Sequence, residues 1–277
     1  MRLVTNSYAR ALLLGFSTIG SIGLLGGVQA LAQESVSVRA TVVKGSLPAD
    51  DPAAAVWSTA APSVFPLAPQ VHWQNRIGEV TVNDVKVRAL HDGKTVAILL
   101  EYQDPTEDPG DAAALEFMVG DKKAHFAHGQ PMLQVEGGSV NIWYWKNQDA
   151  KGVDMNAKGF GTLKVQDQQD VQAKGVYQGG TWKVVFSRAL STGDADNDVI
   201  ISPGTFINIA FAIWDGRKLD SGELKEKGSQ KAVSSWWYFR AEPPADYSSY
   251  FYAVFAAAIA VGLQFAVIRK LKKGSSV

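Results

Sequence analysis

Short runs of β-branched and aromatic residues, among them 36–43, 80–90, 95–102, 140–146, 181–186, 206–214 and 232–239, alternate with Gly, Pro and Asp turns along most of this chain. Runs of strand length bounded by turn residues read as strands, and no long amphipathic helical pattern competes with them. His91-Asp-Gly-Lys94 predicts a tight hairpin, and Gln178-Gly-Gly180 predicts another. The expected fold is one antiparallel β-sandwich, without a second globular domain or an internal repeat. Pro-rich stretches at 48–69 and 104–111 are expected to be irregular connections, and Pro243-Pro244 a stiff spacer. The polar, Gly-containing stretch 216–230 is expected to be a solvated excursion before the final strand.

The two ends obey a different rule. At the C-terminus an apolar run at 250–268 is followed by Arg269, Lys270, Lys272 and Lys273. Its length suits a bilayer crossing, and the basic cluster is expected to stay cytoplasmic. Tyr247, Tyr250, Phe251 and Tyr252 fall where an interfacial aromatic belt would lie. At the N-terminus, Arg2 and Arg10 precede an apolar stretch that closes with Ala30-Leu-Ala32 before Gln33, as in a secretory signal with a small-x-small cleavage site. The expected organisation is a signal peptide at 1–32, an extracytoplasmic β-sandwich at 33–245, a transmembrane helix at 246–268 and a cytoplasmic basic tail at 269–277. An uncleaved N-terminal anchor is the alternative for the first segment.

The formal charge of zero hides an asymmetry. Six basic residues belong to the two ends, which leaves 21 Lys and Arg against 27 Asp and Glu between them, a net of −6. Nucleic acid is a poor partner for such a domain. The chain has no cysteine, which excludes disulfides, thiolate zinc sites, iron–sulfur clusters and covalently attached c-type haem. Any metal must be held by His, Met, Lys, Tyr or carboxylates.

No nucleophile elbow, His-Glu-x-x-His, phosphate loop or dinucleotide fingerprint is present. Asp194-Ala-Asp-Asn-Asp198 lacks the Gly and distal Glu of a calcium loop, and it reads with Glu107 and Asp108 as solvated turn. The segment His125-Phe-Ala-His128-Gly-Gln-Pro-Met132 brings two imidazoles and a thioether just before the aromatic run Val140-Asn-Ile-Trp-Tyr-Trp145. His and Met are common axial donors to haem iron, and flat aromatics suit a porphyrin slot. Met118 reads as a core strand position, Met155 as a loop residue, and His72 and His91 as a loop and a hairpin histidine.

Several ordered motifs carry a resemblance. They are Asp51-Pro52 with Trp57, Val64-Phe-Pro-Leu-Ala-Pro-Gln70, Val85-Lys-Val-Arg-Ala-Leu-His-Asp-Gly-Lys94 leading to Leu99-Leu-Glu-Tyr-Gln-Asp-Pro105, and Ala114-Leu-Glu-Phe117. The series continues with Val140-Asn-Ile-Trp-Tyr-Trp-Lys146, Gly180-Thr-Trp-Lys-Val-Val-Phe-Ser-Arg188, Ala210-Phe-Ala-Ile-Trp-Asp-Gly216 and Lys231-Ala-Val-Ser-Ser-Trp236. In this order the chain resembles the ethylbenzene dehydrogenase type of haem-binding γ subunit, which accompanies type II molybdoenzymes of the dimethyl sulfoxide reductase superfamily. The nitrite oxidoreductase and nitrate reductase branch is included among them.

The resemblance implies one non-covalent haem b between a Met and a Lys, a molybdopterin catalytic subunit and an iron–sulfur subunit as partners, and a cytochrome c or quinone-linked carrier beyond them. It implies electron transfer without substrate chemistry. Lys231 takes the place of the family lysine, with Lys225 and Lys227 as alternatives. The family methionine sits in a Phe-x-Met-Gly setting, where this chain has Phe126-Ala-His128-Gly129. The second ligand is therefore His128 or, four residues on, Met132, and His would set the lower potential. Trp143, Trp145, Trp214 and Trp236 are candidates for the pocket walls. The expected sandwich is immunoglobulin-like or carbohydrate-binding-module-like, and the contrasting functional expectation for the same fold is a membrane-anchored sugar-binding or adhesion module, or a haem-free scaffold.

Overall fold

The computed structural model describes residues 37–70, 77–121, 124, 137–159, 161–244 and 248–274. The N-terminal segment, His72, His125, His128, Met132 and Tyr247 lie outside these residues. The described chain forms two units, one ending at Ala241 and one beginning at Glu242.

The first unit is all β. Its strands are β1 (Ser37–Val42), β2 (Ser63–Pro66), β3 (Ala68–Pro69), β4 (Asp84–His91), β5 (Thr95–Gln103), β6 (Ala112–Val119) and β7 (Ser139–Lys146). They are followed by β8 (Lys151–Ala157), β9 (Lys164–Val165), β10 (Gln172–Gln178), β11 (Thr181–Ala189), β12 (Phe206–Trp214), β13 (Ala232–Val233) and β14 (Trp237–Ala241). Hydrogen bonding runs in the order β10-β11-β5-β4-β1-β14-β12-β6-β7-β8-β9. The sheet folds over so that the β10–β4 half faces the β12–β9 half, which gives the expected sandwich. All pairings are antiparallel except at β1, which lies parallel to both β4 and β14 and joins the halves.

Both expected hairpins form. In the β4–β5 turn Gly93 has φ 87°, and the Asp92 carboxylate accepts the amides of Lys94 and Thr95 at 2.8 and 2.7 Å. Gly179 and Gly180 both take positive φ between β10 and β11, as a two-residue hairpin turn requires. The expected strand at 232–239 is broken, because the Ser234 hydroxyl accepts the Phe211 amide at 3.0 Å and so replaces a ladder bond. Ser234, Ser235 and Trp236 form the irregular link between β13 and β14.

The core lies between the halves, with Phe65 on Phe211, Phe117 on Trp143 and Trp145 on Trp182 at ring separations of 4.9, 4.9 and 5.0 Å. Strand alternation sends Asn141, Trp143 and Trp145 of β7 inward. β10 passes so close to Trp145 that a Cβ on Gly175 would come within 2.2 Å of its ring, so only glycine fits. In the 194–198 stretch Asp196 is exposed, as a solvated turn would have it, but Asp198 is not. Asp198 is buried beside Arg188 at 3.5 Å, and the guanidinium also donates to Asn141 Oδ1 at 2.8 Å and stacks over Trp143. A buried arginine needs such compensation. His91 is fully buried, its Nδ1 accepting the Gly93 amide at 3.2 Å.

The outer face of the β4-β5-β11 half is covered by the chain before β2. Trp57, in a 3-10 turn at Ala55–Thr59, packs with Ala60 on Leu90, Ala97, Leu99 and Val185. That second cover explains why β5 is almost continuously apolar, since it is buried on both faces.

The second unit contains a helix, α1 (Ser248–Gly274), of which Tyr250–Lys270 is long and apolar enough to cross a membrane, with mean hydropathy 2.2. Twenty-one residues at about 1.5 Å each span roughly the 30 Å hydrocarbon core. Side chains such as Phe251, Phe255 and Phe265 are exposed, a surface suited to lipid.

Candidate functional site

Strands β12, β6, β7 and β8 leave their outer face to a cavity of about 560 Å³. Alternation dictates who lines it. Ala114 and Glu116 of β6, Val140, Ile142, Tyr144 and Lys146 of β7, and Ala212 and Trp214 of β12 all have the parity opposite to the core. Met155 and Ala157 of β8 and Val233 of β13 extend the wall.

The expected loop residue Met155 is thus a strand residue, opposite Ile142 in the β7–β8 register, with its side chain at the cavity. The run 216–230 is largely exposed, as expected, yet it is ordered. It doubles back through a Lys218–Leu224 bridge and amide bonds from Lys225 to Arg217 and from Glu226 to Asp215. Leu224, Glu226, Lys227, Gly228 and Ser229 then form one rim. Glu226 is buried and accepts the amide of Asp215 at 3.0 Å and that of Thr81 at 3.3 Å.

Lys231 enters the cavity from the start of β13. Its backbone is fixed by the Gln70 amide donating to Lys231 O at 2.9 Å. Its Nζ lies 4.8 Å from the centre of the Trp214 ring and donates to Gly228 O at 3.4 Å. Trp214 is held by its own Nε1 bond to Gly228 O at 3.0 Å and by an edge contact with Tyr144.

Burial pushes the Lys231 amine down to about 8, a fall that the nearby Glu116 charge only partly offsets. Burial likewise raises the Glu116 carboxyl to about 7 against the pull of Lys231. Each group keeps accessible surface while lying deep among protein atoms, because what it faces is the cavity. An amine with this depressed pKa releases its proton near neutrality and so becomes a Lewis base.

Among the sequence candidates, the structure brings Lys231 and Trp214 together. Lys227 reaches the rim, while Lys225 turns to Asp215 at 3.3 Å. Trp143 and Trp145 point into the core and do not line the cavity, nor does the half-buried Trp236. His128 and Met132 lie outside the described residues, although Ala124, Gly137 and Gly138, the described residues on either side of 125–136, line the cavity. Glu116 and Tyr144 were legible only as the alternate positions of the motifs that contain them.

The wall is mostly apolar, with Lys231 and Glu116 set into it, a flat indole beside the Lys231 amine, and Lys146, Lys158, Lys227 and Glu226 also at its lining. Such a site suits a large planar apolar ligand bearing an electrophilic centre.

Residues 154–226 match the family described as Ethylbenzene dehydrogenase. A protein of Haloferax mediterranei, provisionally named as the haem subunit of a respiratory nitrate reductase, is 25% identical over 235 residues, 80% of each chain. The chlorate reductase γ subunit of Ideonella dechloratans is 28% identical over 229 residues, 77% of this chain and 90% of the relative. A family 9 carbohydrate-binding module from Caldicellulosiruptor kristjanssonii, solved with glucose, superposes with a TM-score of 0.42 at 9% identity, covering 76% of this chain and 97% of the module.

Proposed function

We propose, from the premise that this chain belongs to the ethylbenzene dehydrogenase-type family, that it is a haem b electron-transfer subunit of a membrane-associated molybdopterin oxidoreductase. The observation that carries this is Lys231, an amine beside Trp214 at an apolar cavity, where burial lowers its pKa to about 8. The residues present fit the group. The cavity volume lies within the roughly 300–1,000 Å³ range of cofactor sites, and the donor is a nitrogen base rather than the thiolate that this chain lacks.

When bound, the haem iron supplies reversible one-electron chemistry. Lys231 would hold the iron through its neutral Nζ, whose direction the Gly228 carbonyl and the Trp214 ring restrict. Ile142, Val140 and Trp214 would shield the macrocycle from water, and the low polarity of that wall would help set its potential. Glu116 takes up part of the charge change when Lys231 loses its proton. His128 or Met132 is the second ligand, supported by the cavity-lining residues on both sides of their segment.

The catalytic and iron–sulfur subunits are the electron partners on one side, and a cytochrome c or quinone-linked carrier on the other. The domain lies outside the cytoplasm, with α1 as its anchor and the basic tail on the cytoplasmic side, in keeping with the charge asymmetry at the helix end. Branches that oxidise nitrite or reduce nitrate suit a complex held at the membrane.

The test is a reduced-minus-oxidised spectrum and a pyridine haemochrome assay on the purified full-length protein reconstituted with haem. A b-type spectrum at one haem per chain, lost in Lys231→Leu, whose side chain cannot ligate iron, supports the proposal. Haem binding indifferent to Lys231 refutes the ligand assignment, and a colourless protein favours the sugar-binding or scaffold role.

A further inference from the structure

Beside the rim, the β5–β6 connection and the chain leaving β12 meet so closely that neither tolerates a side chain at the crossing. A Cβ on Gly110 would lie 2.7 Å from Gly216 O, and one on Gly216 would lie 1.9 Å from the Gly110 carbonyl carbon. Three carboxylates converge there. One oxygen from each of Asp104, Asp111 and Asp215 lies within 4.8 Å of the others, and all three residues are at most 1% exposed.

Their hydrogen bonds are unequal. Asp111 accepts the amides of Asp108 and Gly216 at 2.7 and 2.9 Å and Trp182 Nε1 at 3.0 Å. Asp215 accepts the Arg217 amide at 3.0 Å and the Thr81 hydroxyl, and it pairs with Lys225. Asp104 accepts the Thr106 amide at 3.2 Å through Oδ1, whereas its buried Oδ2 has no protein partner. The Tyr102 hydroxyl, 2% exposed, is also buried without a partner. Its pKa is pushed well above its ordinary value by burial and by the charges of Asp111 and Asp104. Burial, with Asp111 beside it, lifts the Asp104 carboxyl to about 7. Lys225 offsets one of three like charges, so the ionised cluster requires further positive charge.

We propose that Asp104, Asp111 and Asp215 bind one divalent cation of the calcium class, with water completing its shell. The donors are all oxygen, without imidazole or thiolate, which disfavours zinc. They come from two irregular connections, a setting that suits the adaptable coordination of calcium better than the strict octahedron of magnesium. Asp104 Oδ2, left open by the protein, is the oxygen that the cation satisfies. Bound there, it ties the 104–111 connection to the chain at 215–216. That fixes Gly110 and, through the Asp215 amide, Glu226, both of which line the cavity. The site does not depend on haem.

Its test uses the full-length protein in detergent after chelation. Terbium emission excited through Trp182, whose Nε1 touches Asp111, is expected to saturate at one ion per chain and to be displaced by calcium. Calcium at about a hundredfold excess over Kd is expected to raise Tm by roughly 5–10 °C. Asp104→Asn is expected to weaken calcium binding at least about tenfold, while its Tm in chelator equals or exceeds the parent's. The proposal is overturned if neither ion binds saturably, or if Asp104→Asn raises Tm equally with and without calcium. In that case the cluster holds a proton instead.

Discussion

The sandwich has two outer faces, and the chain treats them in opposite ways. On the β4-β5-β11 half, Trp57 and Ala60 close over Leu90, Ala97, Leu99 and Val185. On the β12-β6-β7-β8 half, small residues such as Ala114 and Ala212 leave room for a cavity, and Glu116 and Lys231 are among the polar groups that line it. The first arrangement is ordinary core, with Trp57 satisfied by its Nε1 bond to Asp51 O at 3.0 Å. The second leaves two ionisable groups, Glu116 and Lys231, facing a cavity, an arrangement that makes this face the candidate site. One face is thus closed by apolar packing, while the other is left open around ionisable side chains.

The largest expected effect comes from opening the covered face. Trp57→Ala is expected to destabilise the fold by about 3–5 kcal/mol, measured by denaturant unfolding, without altering the haem spectrum of the folded fraction. An equal loss of haem and stability would erase the contrast between the faces. The converse is Lys231→Leu, which removes the amine and puts no other iron ligand in its place. It is expected to abolish haem retention while the haem-free protein melts at the same temperature as the parent or above it, checked by haemochrome assay and calorimetry side by side.

A smaller and sharper effect is the pH dependence. Iron and proton compete for Lys231 Nζ, so haem affinity is expected to fall by up to about tenfold per pH unit below about 8 and to level off above it. The sign for stability agrees. Between about 8 and the ordinary 10.5 the unfolded chain holds the proton that the folded chain has released, so the haem-free protein gains stability as pH rises through that window. Titrating haem binding from pH 6 to 9 tests the first statement, and Tm from pH 7.5 to 10.5 the second. The smallest expected change is in Glu116→Gln. Without the Glu116 charge the protonated amine loses support, so the midpoint of haem binding is expected to move to lower pH. A midpoint that stays in place would show that the two groups do not communicate.

Much of this was legible in the residues. Alternating β-branched and aromatic positions marked the principal strands, and His91-Asp-Gly-Lys94 and Gln178-Gly-Gly180 marked their turns, because backbone geometry at such positions is local. Lys231 and Trp214 were identified through ordered motifs, and they meet in the fold. The assignment of Trp143 and Trp145 to the cavity wall rested on residue type. Alternation shows that they share a face of β7, yet it does not say whether that face meets the other half of the sheet or the cavity. Met155, and the buried Glu226 within the otherwise exposed 216–230 run, were missed for a related reason, since polar and Gly-containing sequence reads as solvent-facing when its pairing partner is distant.

The sequence by itself determined an all-β domain without disulfides, a terminal helix able to cross a bilayer, and the residue types available to hold a metal. Each follows from composition or from periodicity within one segment. Only the tertiary structure decided which face of β6, β7 and β12 is the cavity, that Glu116 stands near Lys231, and that Asp104, Asp111 and Asp215 converge. These depend on pairings between segments up to a hundred or more residues apart, such as Asp111 with Gly216. The desolvation that shifts Lys231 and Asp104 arises only when those segments close around them.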